Sequence, residues 1–299
     1  MQVPTPSIDL PALLLQSEEV ASGDGIAAIV VGACAGLAAA IVLRFGLWRI
    51  PVERRGRTPN DPLIWMLAAS LVYLSGAFGV LASHVSADEA YARLATGFTG
   101  NLIQFGIGLV VLLQLSRPPA APATPVRPSL IAGAVAFLLV LPITSAASIA
   151  LNEILSALGA PRAPQTSHET LRILVERKDS LLTLLTLAHV TLLVPAAEEL
   201  LWRGIIQPAM RAAVPARTAL AGWLAILGTT LLFVLVHWNS IVPEGRATGF
   251  TIIALLALGL GILRERTGSL IAPFALHALF NAANVAIALL QNPVSSSQS

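Results

Sequence analysis

Apolar runs about as long as a helix needs to cross a bilayer recur along the whole chain, at roughly 26–43, 63–83, 98–115, 130–151, 181–203, 218–237, 250–263 and 270–290. About 20 helical residues span a hydrocarbon core of roughly 30 Å, whereas a barrel strand needs about half that number and alternates in polarity. The runs therefore predict an all-α fold, a polytopic transmembrane bundle of about eight spans. Composition agrees, with 56% hydrophobic and 11% charged residues and a mean hydropathy of +0.78, well outside the range of soluble globular domains. A formal charge of +2 without a clustered basic face gives no reason to expect a nucleic-acid partner. Cys34, the single cysteine, excludes an intramolecular disulfide and a cysteine-rich metal site, and its Ala/Gly-rich apolar surroundings predict a packed thiol.

Arginines give the bundle a direction. Arg44, Arg49, Arg54, Arg55 and Arg57 lie in the first connection, Arg117 and Arg127 flank the third, Arg211 and Arg217 fall in the fifth, and Arg264 and Arg266 fall in the seventh. Odd-numbered connections are thus basic, and by the positive-inside rule both termini face outward. The fourth connection disagrees, with Arg162, Arg172, Arg177 and Lys178 among acids, and its part 167–179 has the pattern of an amphipathic helix lying on the bilayer. Residues 1–25 lack the basic start of a secretory signal, and Leu10 to Leu15 read as an interfacial patch. The division expected is an interfacial segment 1–25, helices of unassigned role over 26–151, the connection 152–180, a functional core over 181–290 and a disordered tail 291–299. Gly76, Gly79, Gly106, Gly108, Gly259 and Gly261 sit inside spans, where small residues let helices approach closely. Short loops suggest a bacterial inner-membrane protein with lipids as its surroundings.

Charge inside such spans is costly and marks function by default. Glu198 and Glu199 come after the apolar run Leu181 to Ala197, and apolar residues continue beyond them through Leu200, Leu201, Trp202, Ile205 and Ile206. Glu199 and Arg203 are four apart in the favourable acid-first order, so they share a helix face and neutralise one another. Glu198 points about 100° away without a local counter-charge, and in a confined cavity it is suited to act as a base toward water. His237 ends the run from Leu231 to Val236, with Phe233 one turn earlier. His277 precedes Asn281 by one turn, so imidazole and carboxamide project together. His84 and His168 fall in connections, where a solvated role is the default, and His189 reads as a polar packing residue with a supporting role open to it. Two histidines, an Asn and an unpaired Glu on three helices make a bundle site.

Three segments carry a resemblance: Glu198-Glu199-Leu200-Leu201-Trp202-Arg203, then Phe233-Val234-Leu235-Val236-His237, then His277-Ala278-Leu279-Phe280-Asn281. In this order they resemble the three motifs of the CPBP family, the CAAX prenyl proteases and bacteriocin-processing intramembrane proteases also called Abi. Gly204 after the first and Arg266 to Ser269 before the third fit that resemblance, which covers Leu181 to Leu290. It implies an endopeptidase acting on a membrane-associated peptide or protein substrate, lipidated or not. Glu198 would activate water with help from His237, His277 and Asn281 would stabilise the oxyanion, and Glu199 and Arg203 would hold the catalytic helix. If a metal such as zinc takes part, Glu198, His237 and His277 supply a carboxylate and two nitrogens. There is no His-Glu-x-x-His helix, so a metal-free glutamate mechanism is preferred. A proton-coupled transporter, and a non-catalytic scaffold or bacteriocin-immunity factor, are the alternatives.

Overall fold

The computed structural model describes residues 10–51, 58–82, 89–117, 122–160, 180–214 and 218–291. Eight long helices run through them: α1 (Leu10–Arg44), α2 (Pro62–Ala82), α3 (Glu89–Gln114), α4 (Val126–Ala157), α5 (residues 180–213), α6 (Ala219–Val236), α7 (Arg246–Thr267) and α8 (Ile271–Gln291). Among the described residues, seven helices are long and apolar enough to cross a membrane, and α2 carries a shorter apolar stretch, Pro62–Gly76. The expected all-α polytopic bundle is the fold, and the chain is an integral membrane protein. Large apolar side chains such as Leu67, Leu71, Leu138 and Leu231 are exposed on its outside, where hydrocarbon rather than water is their natural solvent. A two-residue antiparallel ribbon, β1 (Thr58–Pro59) with β2 (Ser116–Arg117), ties the start of α2 to the end of α3. Beside it, the Trp65 indole donates to the Leu115 carbonyl at 2.8 Å.

The core is built around α5. Leu200, Leu201, Trp202 and Ile205 pack in one buried cluster with Trp65, Ala69 and Val72 of α2, Val111 and Leu112 of α3, Phe233 of α6 and Ala257 of α7. A second cluster joins Leu256 and Leu260 of α7 to Leu276 and Phe280 of α8. Helix α4 closes against α8 where Gly133 leaves room: a Cβ there would lie 2.5 Å from the Ala272 carbonyl oxygen and 2.6 Å from Ala275 Cβ. Gly100 does the same for α2 and α3, since its Cβ would meet the Gly76 oxygen at 2.8 Å. Gly108, Gly259 and Gly261 also face neighbouring side chains, whereas Gly106 meets nothing within 4 Å.

Helix ends depart from the hydropathy reading at several places. The fifth span does not stop near Arg203 but continues to Ala213, with Arg203, Gln207 and Arg211 all buried. Because Arg203 is neutralised from within its own helix, its charge ends nothing. The seventh helix is likewise longer than its apolar run. A tight turn links it to the eighth as expected: Gly268 adopts φ +66°, its N–H donates to the Arg264 carbonyl at 2.9 Å, and the Ser269 hydroxyl accepts the Ile271 N–H at 3.1 Å. Helix α1 begins at Leu10, inside the stretch read as interfacial. Cys34 is exposed rather than packed, because only a narrow side of α1 meets the bundle and the thiol lies on the other. His84, His168 and the amphipathic pattern of 167–179 lie outside the described residues.

The basic connections gather at one end. Arg266 donates to the Gly46 and Arg49 carbonyls, Arg211 donates to the Pro51 carbonyl at 3.2 Å and pairs with Glu265 at 3.7 Å, and the Thr124 N–H donates to the Thr267 carbonyl. The first, third, fifth and seventh connections are thereby joined, as an up-and-down bundle requires.

Candidate active site

Helix α5 carries the two acids on an unusual backbone. It is α-helical over Ser180–Ala188, opens into a π turn at His189–Leu193, returns to α over Val194–Leu201, opens again at Trp202–Ile206 and ends as α over Gln207–Ala213. Such turns insert one extra residue and rotate the remainder of the helix, and they concentrate at functional positions. Here each is succeeded by a proline, Pro195 and Pro208, whose missing N–H and ring would strain an uninterrupted α ladder.

Glu199 is buried and faces the helices behind α5. Its Oε1 accepts from Arg203 Nη1 at 3.1 Å and from His277 Nδ1 at 2.9 Å. Arg203 is fully buried. It also donates to the Ala257 carbonyl at 3.3 Å and lies over the Phe233 ring, 4.7 Å from its centroid, a contact strengthened by desolvation. The pairing expected from spacing therefore forms, and it has a third member that spacing alone does not give, His277 from α8. Glu199 Oε2 and Arg203 Nε, both buried, make no hydrogen bond among the described residues.

Glu198 faces the other way, toward both imidazoles. His237 Nε2 lies 3.9 Å from its Oε1 and His277 Nε2 lies 3.7 Å from its Oε2. These distances exceed a direct hydrogen bond and leave the groups converging on a common space. Its side chain retains 19% exposure, against 1% for Glu199, so the neighbouring acids occupy different environments. The far ring nitrogens fix the near ones. A carbonyl only accepts, so His237 Nδ1, 2.7 Å from the Phe233 oxygen, carries a proton; His277 Nδ1 donates likewise to the Glu199 carboxylate. Both Nε2 atoms are thereby the ones presented to Glu198. Phe233 supports the arrangement, with ring centroids 4.7 Å from His237 and 6.3 Å from His277.

Similar depth explains how these residues meet. Glu198 sits roughly 22 Å along α5 from Ala213, and His237 about 27 Å along α6 from Ala219, at about 1.5 Å per residue. Asn281 projects from the same side of α8 as His277, but its Nδ2 donates to the Val190 carbonyl at 2.9 Å. His189 is buried as expected. It accepts from Asn101 Nδ2 at 3.0 Å and packs against Phe98. Asn101 on α3 and Arg264 on α7, whose Nε donates to the Arg203 carbonyl at 2.8 Å, were not singled out by sequence. An Asn inside an apolar run was the available signal for the first.

The zinc reading implied by the resemblance would use the same Glu198, His237 and His277. Glu198, His237 and His277 converge, yet among the described residues no three His, Cys, Asp or Glu side chains are arranged to hold a metal ion. Comparison with curated proteins and with solved structures returned no match. A match does come from the family of the type II CAAX prenyl endopeptidases described as Rce1-like, over residues 180–283. That stretch, about a third of the chain, contains α5, α6, α7 and the part of α8 bearing His277 and Asn281, so the segment that builds the site is the one similar to the Rce1-like type II CAAX prenyl endopeptidases.

Proposed function

We propose that the protein is an intramembrane endopeptidase in which Glu198 activates water against a peptide bond of a membrane-associated substrate, lipidated or not. The observation that carries this reading is the convergence of the Glu198 carboxylate with two imidazole Nε2 atoms inside the segment that matches the endopeptidase family. A water held there can donate one hydrogen to Glu198 and the other to the His237 Nε2 lone pair, since His237 Nδ1 is committed as a donor to Phe233. Proton transfer to Glu198 frees the water oxygen to form a bond to the scissile carbonyl carbon. The resulting oxyanion takes a hydrogen bond from protonated His277 Nε2, whose imidazolium the Glu199 carboxylate stabilises through Nδ1, and a second from the Asn281 amide. Glu198 then returns the proton to the leaving nitrogen as the C–N bond breaks and the carbonyl re-forms, giving an amine and a carboxylic acid whose remaining proton passes to the His237 Nε2 lone pair. Arg203 holds the Glu199 carboxylate in place.

No metal is needed for these steps. The site would lie in a bacterial inner membrane with both termini outside, an orientation favoured by the arginines of the first, third, fifth and seventh connections and opposed by the four positive residues of the fourth. The reading is tested by incubating purified protein in liposomes with a mixture of membrane peptides and mapping new termini by mass spectrometry. Cleavage is expected and is expected to survive 1,10-phenanthroline. Loss of cleavage with the chelator, restored by zinc, overturns the metal-free mechanism. Proton or solute movement without any cut peptide overturns the protease reading in favour of a transporter.

A further inference from the structure

Two backbone carbonyls on α5 have lost their partners in the same way. In the first π turn the Val194 N–H donates to the His189 carbonyl, so in that register the Val190 carbonyl requires the N–H of residue 195. Residue 195 is proline and has none. In the second π turn the Gln207 N–H donates to the Trp202 carbonyl, and the Arg203 carbonyl requires the N–H of residue 208, again a proline. Each orphaned oxygen is met by a side chain from a different helix: Asn281 Nδ2 on α8 at 2.9 Å for Val190, and Arg264 Nε on α7 at 2.8 Å for Arg203. A buried carbonyl left without a donor is costly, so these side chains are held where they are. The segment between the two prolines bears Glu198 and Glu199.

We infer that Pro195 is a positioning residue for the reaction: by removing the N–H that Val190 would otherwise accept, it creates the acceptor that turns the Asn281 carboxamide toward the site. This rests on the reading of Asn281 as an oxyanion donor. A carboxamide carries two N–H groups. One is taken up by Val190, which also fixes the orientation of the amide, because the flipped form would set oxygen against oxygen. The second N–H is left for the oxyanion on the face that Asn281 shares with His277, one turn earlier. A proline one turn before the catalytic glutamate, on its own helix, thus aims a donor on another.

The test is a pair of double-substitution cycles on the full chain with Pro195→Ala and Asn281→Ala. Pro195→Ala restores a backbone donor for Val190 and releases the amide. Deleting an oxyanion donor costs about a hundredfold or more in kcat, so misaiming one predicts a smaller loss, roughly tenfold, with KM little changed. In the Pro195→Ala background, Asn281→Ala is expected to cost less in both kcat and Tm than in the parent, since the carbonyl no longer depends on it. Additive effects on Tm overturn the Val190 link. Coupled Tm with unchanged kcat in Pro195→Ala overturns the catalytic role and leaves a structural one. Should the parent protein cut no peptide, the protease reading and the positioning role fall together, while the thermal cycle still decides the carbonyl–amide link.

Discussion

Glu198 and Glu199 are neighbours in sequence with unlike surroundings, and their difference comes from the needs of a buried carboxylate. Glu199 sits with 1% exposure and answers that cost with Arg203 on one side and His277 on the other; Glu198 keeps partial access and faces nitrogens too far for direct bonds. Removing one member of a fully buried pair strands the other charge, typically at about 3–5 kcal/mol. Arg203→Ala is therefore expected to lower stability by roughly that amount in thermal unfolding, and the Arg203→Ala/Glu199→Ala double to be less damaged than Arg203→Ala alone. A double substitution worse than the sum of the singles contradicts this account of the pair. Spacing made the Glu199–Arg203 contact legible in the sequence, as an i,i+4 pair in the favourable order. His277 as its third member was not legible, because it depends on how α8 packs behind α5.

At the scale of the element, hydropathy located the helices well and misplaced their ends for a physical reason. It counts Arg203 as a charge that closes a span, whereas a guanidinium neutralised by its own helix and stacked on Phe233 behaves as part of the core. The π turns were hidden for a related reason: Pro195 and Pro208 are visible as residues, but whether a helix kinks, breaks or widens around a proline depends on donors supplied from elsewhere, here Asn281 and Arg264. Small residues act as packing devices at Gly108, Gly259 and Gly261, as their place inside spans suggested, but not at Gly106. That contrast gives a test, since α8 carries His277 and approaches α4 at Gly133 over backbone atoms that cannot yield cheaply. Gly133→Leu is expected to cost about 1–3 kcal/mol by overpacking and to reduce cleavage by shifting α8, whereas Gly106→Ala, with open space around it, leaves both unchanged. Equal effects from the two substitutions contradict the packing described.

For the whole molecule, α2 and α3 wall the back of α5 and contribute Trp65, Val72 and Val111 to the cluster that holds Leu200 to Trp202. The first half of the chain, which no motif marked, supports the site in this way, with Asn101 reaching His189 as a polar contact between halves. The proposed orientation, with both termini outside, rests on the four basic connections at one end, so a reporter active only outside the cytoplasm is expected to work when fused after residue 299 and to be silent in the connection after α5; the reverse pattern contradicts it. The central claim is that Glu198 performs the chemistry within an intact bundle. Its most direct test is cleavage by purified Glu198→Gln, which keeps size and hydrogen bonding but cannot take a proton from water. The account predicts loss of cleavage by a factor of about a thousand or more with an unchanged Tm; cleavage by the folded variant at the parental rate would contradict it.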